Sequence, residues 1–172
     1  MPKALGKLIE MLPLTSMFRS QRPAFFLIFC FLLAIPGTFV VLQLAWHSIG
    51  LRIPIRKTLI PATMQGLLVM FLRQILPLPF QALADIVLTT YFTIKIGRTS
   101  LSVALIATFF SEIVLIMGSI ILTEPVYALV KDINLFLSDP ANGLLLFVLE
   151  TAFPTLVLIV FRRFDLCIVK RS

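Results

Sequence analysis

The chain has 172 residues, of which 59% are hydrophobic and 13% charged, and its mean hydropathy is +1.05. An ordinary soluble domain is less apolar and more charged, so this composition predicts an integral membrane protein. The formal net charge of +7 would suggest nucleic acid as the partner of a soluble protein. Here the basic residues flank apolar stretches, so we expect membrane lipids, with anionic headgroups at the basic face, and no nucleic acid.

Residues 1–22 predict a basic segment that lies at the membrane interface. Apolar residues recur there at helical spacing, from Leu5 to Leu12, while Lys3 and Lys7 lie away from that stripe. A disordered basic tail is the alternative interpretation.

The remainder of the chain predicts a helical bundle. Four stretches approach or reach the roughly 17 to 25 residues that a membrane-crossing helix needs. They are 24–45, 59–76, 101–122 and 143–161, and a fifth stretch, 82–96, is shorter. We therefore expect an all-α fold: a polytopic integral membrane bundle of four to five segments in one domain, 1–172, with membrane segments over 24–161 and a basic tail over 162–172.

The first apolar stretch, Ala24 to Ala45, is interrupted by Pro36-Gly37. Such a break predicts a re-entrant hairpin or a strongly kinked helix, and a straight crossing is the alternative. Trp46 and His47 are expected at the interface, with His47 as a hydrogen-bonded boundary residue rather than a ligand.

Charge predicts the orientation of the bundle. Three basic clusters separate the apolar stretches, whereas the proline-broken elbow at 77–80 carries no charge and the 123–142 loop is acidic. Under the positive-inside rule the basic loops and the C-terminus are cytoplasmic in a multi-pass protein. The clusters are Arg52, Arg56 and Lys57; Lys95 and Arg98; and Arg162, Arg163, Lys170 and Arg171.

The elbow around Pro77 and Pro79 predicts either a tight helical hairpin or a pair of re-entrant half-helices. The limb that follows, 82–96, has an insertion balance near zero, because Asp85 and three threonines offset its seven strongly apolar residues. It should enter a membrane only with its neighbour.

Local signals mark the ends of two segments. Gly97 is suited to be the C-cap of the return limb, and Thr99 or Ser100 to be the N-cap of the next helix. Apolar residues between Val126 and Leu137 predict a short interfacial helix that ends near Asp139-Pro140.

Four charged residues fall within the apolar segments, where each unpaired charge costs about 2.5 to 3.5 kcal/mol on insertion scales. They are Arg73, Asp85, Glu112 and Glu150. We predict an ion pair between Arg73 and Asp85, with Glu112 and Glu150 as alternative partners. These charges are either interhelical ties or a polar path for a headgroup or protons.

Motifs for enzymatic chemistry are missing from the sequence. There is no glycine-rich phosphate loop, no metal-ligand spacing and no nucleophile beside a base. Cys30 and Cys167 cannot build a disulfide framework. We therefore expect no catalytic residue, no metal, no cofactor and no enzymatic activity.

A set of residues from Trp46 to Leu115 resembles a repeat unit of a known membrane family. They are Gly50, Pro54, Arg56, Leu76 to Pro79, Gly97, Ala104 and Ala107. The family is the flippase-like integral membrane family that includes the transmembrane part of lysylphosphatidylglycerol synthases and archaeal glycosylation proteins. The chain is a short, divergent example, with Asp85 near one family arginine and Glu112 at another.

The resemblance implies a re-entrant architecture and the handling or translocation of a lipid or lipid-linked headgroup without covalent chemistry. The alternative hypothesis is a noncatalytic structural or accessory subunit of a larger membrane complex, with other membrane subunits as partners. The two differ in whether the four charges line a cavity or lie buried against another chain.

Overall fold

The computed structural model describes residues 34–130 and 140–169, and every regular element in them is helical. The expected all-α class is therefore confirmed for this part of the chain. The elements are α1 (Ile35–Ser48), α2 (Ile55–Ile75), α3 (Leu78–Gly97), α4 (Leu101–Gly118), a π-helical turn (Ser119–Thr123), α5 (Glu124–Leu129) and α6 (Pro140–Phe164).

Two helical stretches among the described residues are long and apolar enough to cross a membrane. One runs from Leu101 to Leu129 through α4, the π-helical turn and α5, with a mean hydropathy of 2.3. The other, Leu144–Phe164, has a mean hydropathy of 2.4. By length and composition these two stretches indicate membrane association.

Helix α1 lies at the centre of the fold and packs against α2, α3, α4 and α6. All six residues from Val41 to Trp46 are buried, so neighbours enclose every side of this half of the helix. Leu42 and Trp46 pack with Ala62 of α2, and Leu44 packs with residues of α4 and α6. A helix that is apolar on all sides is stable only in such a position.

The outer surfaces of the surrounding helices are apolar. Large hydrophobic side chains are exposed along the whole length of α2, α3, α4 and α6. A contiguous apolar surface of this kind requires a covering in water, by lipid or by protein. Examples are Ile60, Leu68 and Phe71; Leu83 and Val87; Phe109, Ile113 and Ile116; and Leu145, Leu156 and Ile159.

Glycines allow two close contacts between helix backbones. A Cβ added at Gly66 of α2 would lie 3.2 Å from backbone atoms of Ala34 and Ile35. A Cβ added at Gly118 of α4 would lie 3.0 Å from Phe153 Cβ and 3.2 Å from the Glu150 carbonyl oxygen of α6. Small residues at helix contacts are typical of membrane bundles.

The turn predicted at Pro36-Gly37 is wrong. Ala34 already has helical dihedral angles, and the helix continues without interruption to Ser48, with Pro36 in its first turn. Proline fits there because the amides of a first turn have no helical acceptor. The preceding part of the first apolar stretch lies outside the described residues, as do the predicted interfacial segment 1–22, residues 131–139 and the end of the basic tail.

The elbow is a tight helical hairpin. Helix α2 ends at Ile75, the extended residues Leu76 and Pro77 form the connection, and α3 begins at Leu78. Pro79 falls within the first turn of α3. Because α3 starts four residues before the predicted limb, it has 20 residues, and α2 has 21. At 1.5 Å per residue each helix is about 30 Å long.

The loop between α3 and α4 confirms one predicted cap and corrects the other. Ser100 caps α4 by accepting a hydrogen bond from Val103 N at 3.5 Å. Gly97 is instead the last residue of α3, and the left-handed residue that ends the helix is Arg98, with φ of 49°. A Cβ at Gly97 would lie 2.5 Å from Leu51 Cδ1, so the end of the Leu51 side chain packs directly on this glycine.

Candidate functional site

Gln43 joins three helices near the basic end of the bundle. Its side chain is 0% exposed, although it lies in the centre of an apolar helix. The Nε2 atom donates hydrogen bonds to the Ile53 carbonyl oxygen at 3.2 Å and to Thr58 Oγ1. The Oε1 atom accepts from Arg162 Nη2 of α6. One buried amide thereby connects α1 with the start of α2 and the end of α6.

A second group of polar side chains lies between α1, α2 and α3. Trp46 Nε1 donates to Thr93 Oγ1 at 3.1 Å, and Thr93 Oγ1 donates to the Thr89 carbonyl oxygen at 2.8 Å. Gln65 Nε2 of α2 donates to Thr89 Oγ1 at 2.7 Å and to Asp85 Oδ1 at 3.2 Å. The hydrogen bonds therefore continue from the central helix to the carboxylate of Asp85.

Helical spacing aligns these two groups. Gln43 and Trp46 are three residues apart on α1, and Thr58 and Gln65 are seven residues apart on α2, so each pair shares one helix face. The residues of the two groups are here called the polar seam, and the apolar Ala62 lies between Thr58 and Gln65 on α2. The members of the seam are Gln43, Trp46, Thr58, Gln65, Asp85, Thr89 and Thr93.

Of the four predicted charged residues, Asp85 is the one that the seam includes. Its carboxylate is half-buried and accepts from Gln65, a partner that we did not expect from the sequence. Arg73 lies in the last turn of α2, and its side chain is outside the described part of the structure. The predicted pair of Arg73 with Asp85 therefore stays a prediction.

Glu112 lies on the side of α4 that carries Thr108. Thr90 of α3 donates to Thr108 Oγ1 of α4 at 3.1 Å, and Glu112 follows Thr108 by one turn on the same side of α4. Asp85, in contrast, is directed towards α2 through Gln65.

Glu150 lies on α6, towards the end of α4. Its carbonyl oxygen is close to Gly118, and Pro154, four residues later, lacks the N–H that would bond to this oxygen in a regular helix. The Glu150 side chain is half-buried. The hydrogen bonds of the polar seam do not include it.

Charged groups surround the C-terminus of α1 at the basic end. Arg52 forms an ion pair with Asp165, with both side chains more than 70% exposed, so the pair contributes at most about 1 kcal/mol. His47 Nδ1 lies 3.0 Å from the Gln43 carbonyl oxygen, which confirms the expected hydrogen-bonded role. Burial lowers the pKa of His47, and the charges of Arg162 and Arg52 also lower it.

The C-terminal residues close this end of the bundle. Ile168 N and Val169 N lie 2.6 and 3.4 Å from the carbonyl oxygen of Ser48, the last residue of α1. The final carbonyls of a helix have no partner within the helix, so these amides supply one. Val169 also packs against the cluster that contains Ile49 and Ala107.

The described side chains provide hydrogen-bonding groups between the helices. Among residues 34–130 and 140–169, no three His, Cys, Asp or Glu side chains are grouped to hold a metal ion. The polar seam offers amide, hydroxyl, indole and carboxylate groups at the interface of three helices. Such an arrangement can bind and orient a polar group or hold the helices together.

Three members of the polar seam were not predicted as site residues, because the prediction used charge and these side chains are neutral. Gln43, Thr58 and Gln65 have no motif or special spacing. The sequence nevertheless contains a signal, which is an amide within an apolar helix. Burial of such an amide costs free energy unless it is hydrogen-bonded, so its presence predicts a partner. Trp46 is 0% exposed and donates to Thr93, and its expected level at the membrane interface stays a prediction.

Comparison with known proteins gives no relative from which a role could be transferred. No family model, curated protein or solved structure matches this chain.

Proposed function

We propose that the chain is a multi-pass membrane protein of four to five segments that handles a lipid headgroup through the polar seam. The crossing helices are α2, α3, the stretch from α4 to α5, and α6, and the fifth segment ends in α1. The length of about 30 Å for α2 and for α3 supports this number, since it matches the hydrocarbon core of a bilayer. Their exposed apolar surfaces support it too.

The basic end is proposed to face the cytoplasm. The contacts of Arg162 with Gln43 and of Arg52 with Asp165 place the ends of α1 and α6 together, and the α2–α3 elbow lies at the opposite end of that hairpin. Exposed cations at one end agree with the positive-inside rule and with attraction to anionic lipids.

One observation carries the proposed handling of headgroups. A series of hydrogen-bonded residues leads from Trp46, near the end of α1, through Thr93, Thr89 and Gln65. It ends at a half-buried carboxylate, Asp85, in an otherwise apolar bundle. Polar and ionisable groups at such depth are costly, and they mark pathways for polar substrates in membrane proteins. The resemblance of residues 46–115 to the flippase-like family supports the same function.

A second candidate, a noncatalytic subunit of a membrane complex, is supported by a different feature of the seam. The polar groups of Gln43, Trp46 and Thr93 are buried and bonded within the chain. Groups that satisfy one another in this way can serve solely to fix helix positions. In that case removal of the Asp85 charge would alter stability alone.

Reconstitution in vesicles tests the two candidates. The purified chain would be tested for translocation of fluorescent lipids between leaflets, measured by quenching from outside. We expect Asp85→Asn to reduce the rate at least several-fold without loss of folded protein. Glu124→Gln, which alters an exposed acid of α5, is the matched control and should keep the rate.

The results separate the candidates. No translocation by the unaltered chain, or an unchanged rate in Asp85→Asn, would reject the handling of headgroups through the seam. A chain that is monomeric in mild detergent and binds no other membrane protein would reject the subunit. The orientation is tested separately, by labelling single cysteines at positions 98 and 125 with a membrane-impermeant reagent; we expect labelling from outside at 125 only.

A further inference from the structure

The chain leaves α6 through a defined turn and passes over the end of α1. Leu166 N donates to the Phe161 carbonyl oxygen at 3.1 Å, and Asp165, just before Leu166, is left-handed with φ of 52°. A bond of this length in sequence around a left-handed residue is the Schellman pattern, which ends a helix. Residues 165–169, here called the strap, therefore turn away from the direction of α6.

The inner side of the strap is attached to the end of α1 and to the loop that follows it. Asp165 forms the ion pair with Arg52, and the Cβ of Cys167 lies 3.8 Å from the position of a Cβ added at Gly50. Val169 packs against the buried cluster at the end of α1. Alternate residues of the strap thus contact the bundle.

The outer side of the strap is apolar. Leu166 and Ile168, the residues between those contacts, are 46% and 48% exposed. Phe164, the last residue of α6, is 65% exposed and extends the same apolar surface. Alternate residues of a non-helical segment point to opposite sides, so the strap has one side on the protein and one side available to a partner.

Cations border this apolar surface. Arg163 is exposed beside it, and Arg56 and Lys57 are exposed at the start of α2. They lie at the same end of the bundle, because the Gln43 amide joins the start of α2 to the end of α6. Asp165, the one acid of the described residues at this end, is held in an ion pair, so an excess of positive charge remains.

Exposed apolar side chains beside cations favour an anionic lipid leaflet as the partner. In segments that lie at a membrane interface, apolar groups reach the acyl chains while Lys and Arg reach the phosphates. Each Lys or Arg near an anionic surface increases affinity by about fivefold. A protein partner would have to supply acids for several cations, whereas an anionic leaflet supplies phosphates at the level where a bundle ends.

We propose that Phe164, Leu166 and Ile168, together with Arg163, form a binding surface for the anionic lipids of the leaflet at the basic end. The inference rests on the proposed membrane placement and is independent of the handling of headgroups. The strap then has two roles, since its inner side holds the end of α1 and its outer side holds lipid. Anionic lipid should accordingly collect beside the strap and not evenly around the bundle.

Fluorescence quenching measures the lipid composition beside the strap. A fluorophore would be attached to a single cysteine, introduced by Leu166→Cys or Ile168→Cys in a chain that carries Cys30→Ser and Cys167→Ser. The nanodiscs would contain equal amounts of phosphatidylglycerol and phosphatidylcholine. A nitroxide on the upper acyl chain would label the first lipid in one sample and the second lipid in another, so the ratio of the two quenching efficiencies gives the local enrichment.

We expect several-fold stronger quenching by phosphatidylglycerol than by phosphatidylcholine at positions 166 and 168. Ile113→Cys, on the exposed apolar side of α4, is the control for bilayer placement and should give a ratio near one. Arg163→Gln should lower the ratio at position 168 by up to about fivefold. Lys95→Gln, which removes an exposed cation of α3 at the same end, should change it by less than about twofold.

A ratio near one at positions 166 and 168, with quenching by both lipids, would overturn the preference for anionic lipid. Quenching at position 113 but not at 166 and 168 would overturn the lipid contact, and shielding of those labels from aqueous iodide would then assign the surface to a protein partner. Equal losses in Arg163→Gln and Lys95→Gln would overturn the role of the cation beside the strap. Absence of quenching at position 113 as well rejects the membrane placement together with the inference, whereas the translocation assay tests the handling of headgroups separately.

Discussion

Replacement of Gln43 by leucine tests whether the basic end is held together as the structure indicates. Leucine has a similar volume and suits an apolar helix, so the main change is the loss of the amide. That change removes the bonds to the Ile53 carbonyl and Thr58 and the bond from Arg162. We expect a lower free energy of unfolding.

The magnitude follows from the number of bonds and from their surroundings. Interhelical hydrogen bonds in membrane proteins contribute about 0.6 kcal/mol each and at most about 1.7 kcal/mol. Three bonds therefore give a loss of roughly 2 to 4 kcal/mol, at the upper end if the Ile53 carbonyl stays buried without a donor. Loss of the bond to Arg162 carries no added penalty for a buried unpaired group, because this side chain is exposed and can turn to water.

Unfolding of the purified protein in mixed micelles, followed by circular dichroism, provides the assay. Thr155→Val is the control, because its hydroxyl bonds to a carbonyl of its own helix, and it should change the free energy by less than about 0.5 kcal/mol. Arg162→Met combined with Gln43→Leu should be less destabilising than the sum of the two single changes. A loss below about 1 kcal/mol, or full additivity, would refute the reasoning.

Two further predictions concern packing and pH. Gly118→Ala should destabilise the protein by about 1 to 3 kcal/mol relative to Gly37→Ala in the same unfolding assay, because the added Cβ meets α6 backbone at Gly118 and the end of a movable Phe147 ring at Gly37; equal effects would contradict the close contact. Because burial lowers the folded-state pKa of His47, the unfolded chain takes up the proton first, so stability should fall as pH decreases below about 6.5. His47→Gln should flatten that dependence, and an unchanged pH profile would contradict it.

The hairpin of α2 and α3 could be predicted because proline acts locally. Pro77 and Pro79 prevent a continuous helix across the elbow, whatever the tertiary environment. The same rule gave a wrong turn at Pro36, because proline in the first turn of a helix displaces no hydrogen bond. Where that helix starts depends on packing, which includes the contact of Ile35 with Gly66.

Membership of the polar seam could not be predicted in the same way, because it depends on which helices become neighbours. The threonines of α3 were expected to form hydrogen bonds, and Thr89, Thr90 and Thr93 do so. Their interhelical partners are Gln65, Thr108 and Trp46. The most distant pair in sequence, Trp46 and Thr93, is 47 residues apart. Local sequence contains no information on such pairs.

The choice of charged residues as the site illustrates a related limit. Asp85 is part of the seam, Glu112 follows Thr108 by one turn on α4, and Glu150 lies on α6. Sequence indicated the cost of each charge, whereas the direction of each side chain follows from the arrangement around α1. Neutral amides, which cost less than charges, proved to be the residues that connect the helices.

The central position of α1 has a consequence for biosynthesis. During synthesis from the N-terminus, α1 is made before every helix that surrounds it, and the bond from Arg162 to Gln43 joins residues that are 119 positions apart. Until α6 is complete, Gln43 lacks this donor and the side of α1 that α6 covers stays open. Nascent chains that stop before α6 should therefore be recognised by chaperones and proteases of the membrane. Completion of α6 thus determines whether α1 is protected from degradation.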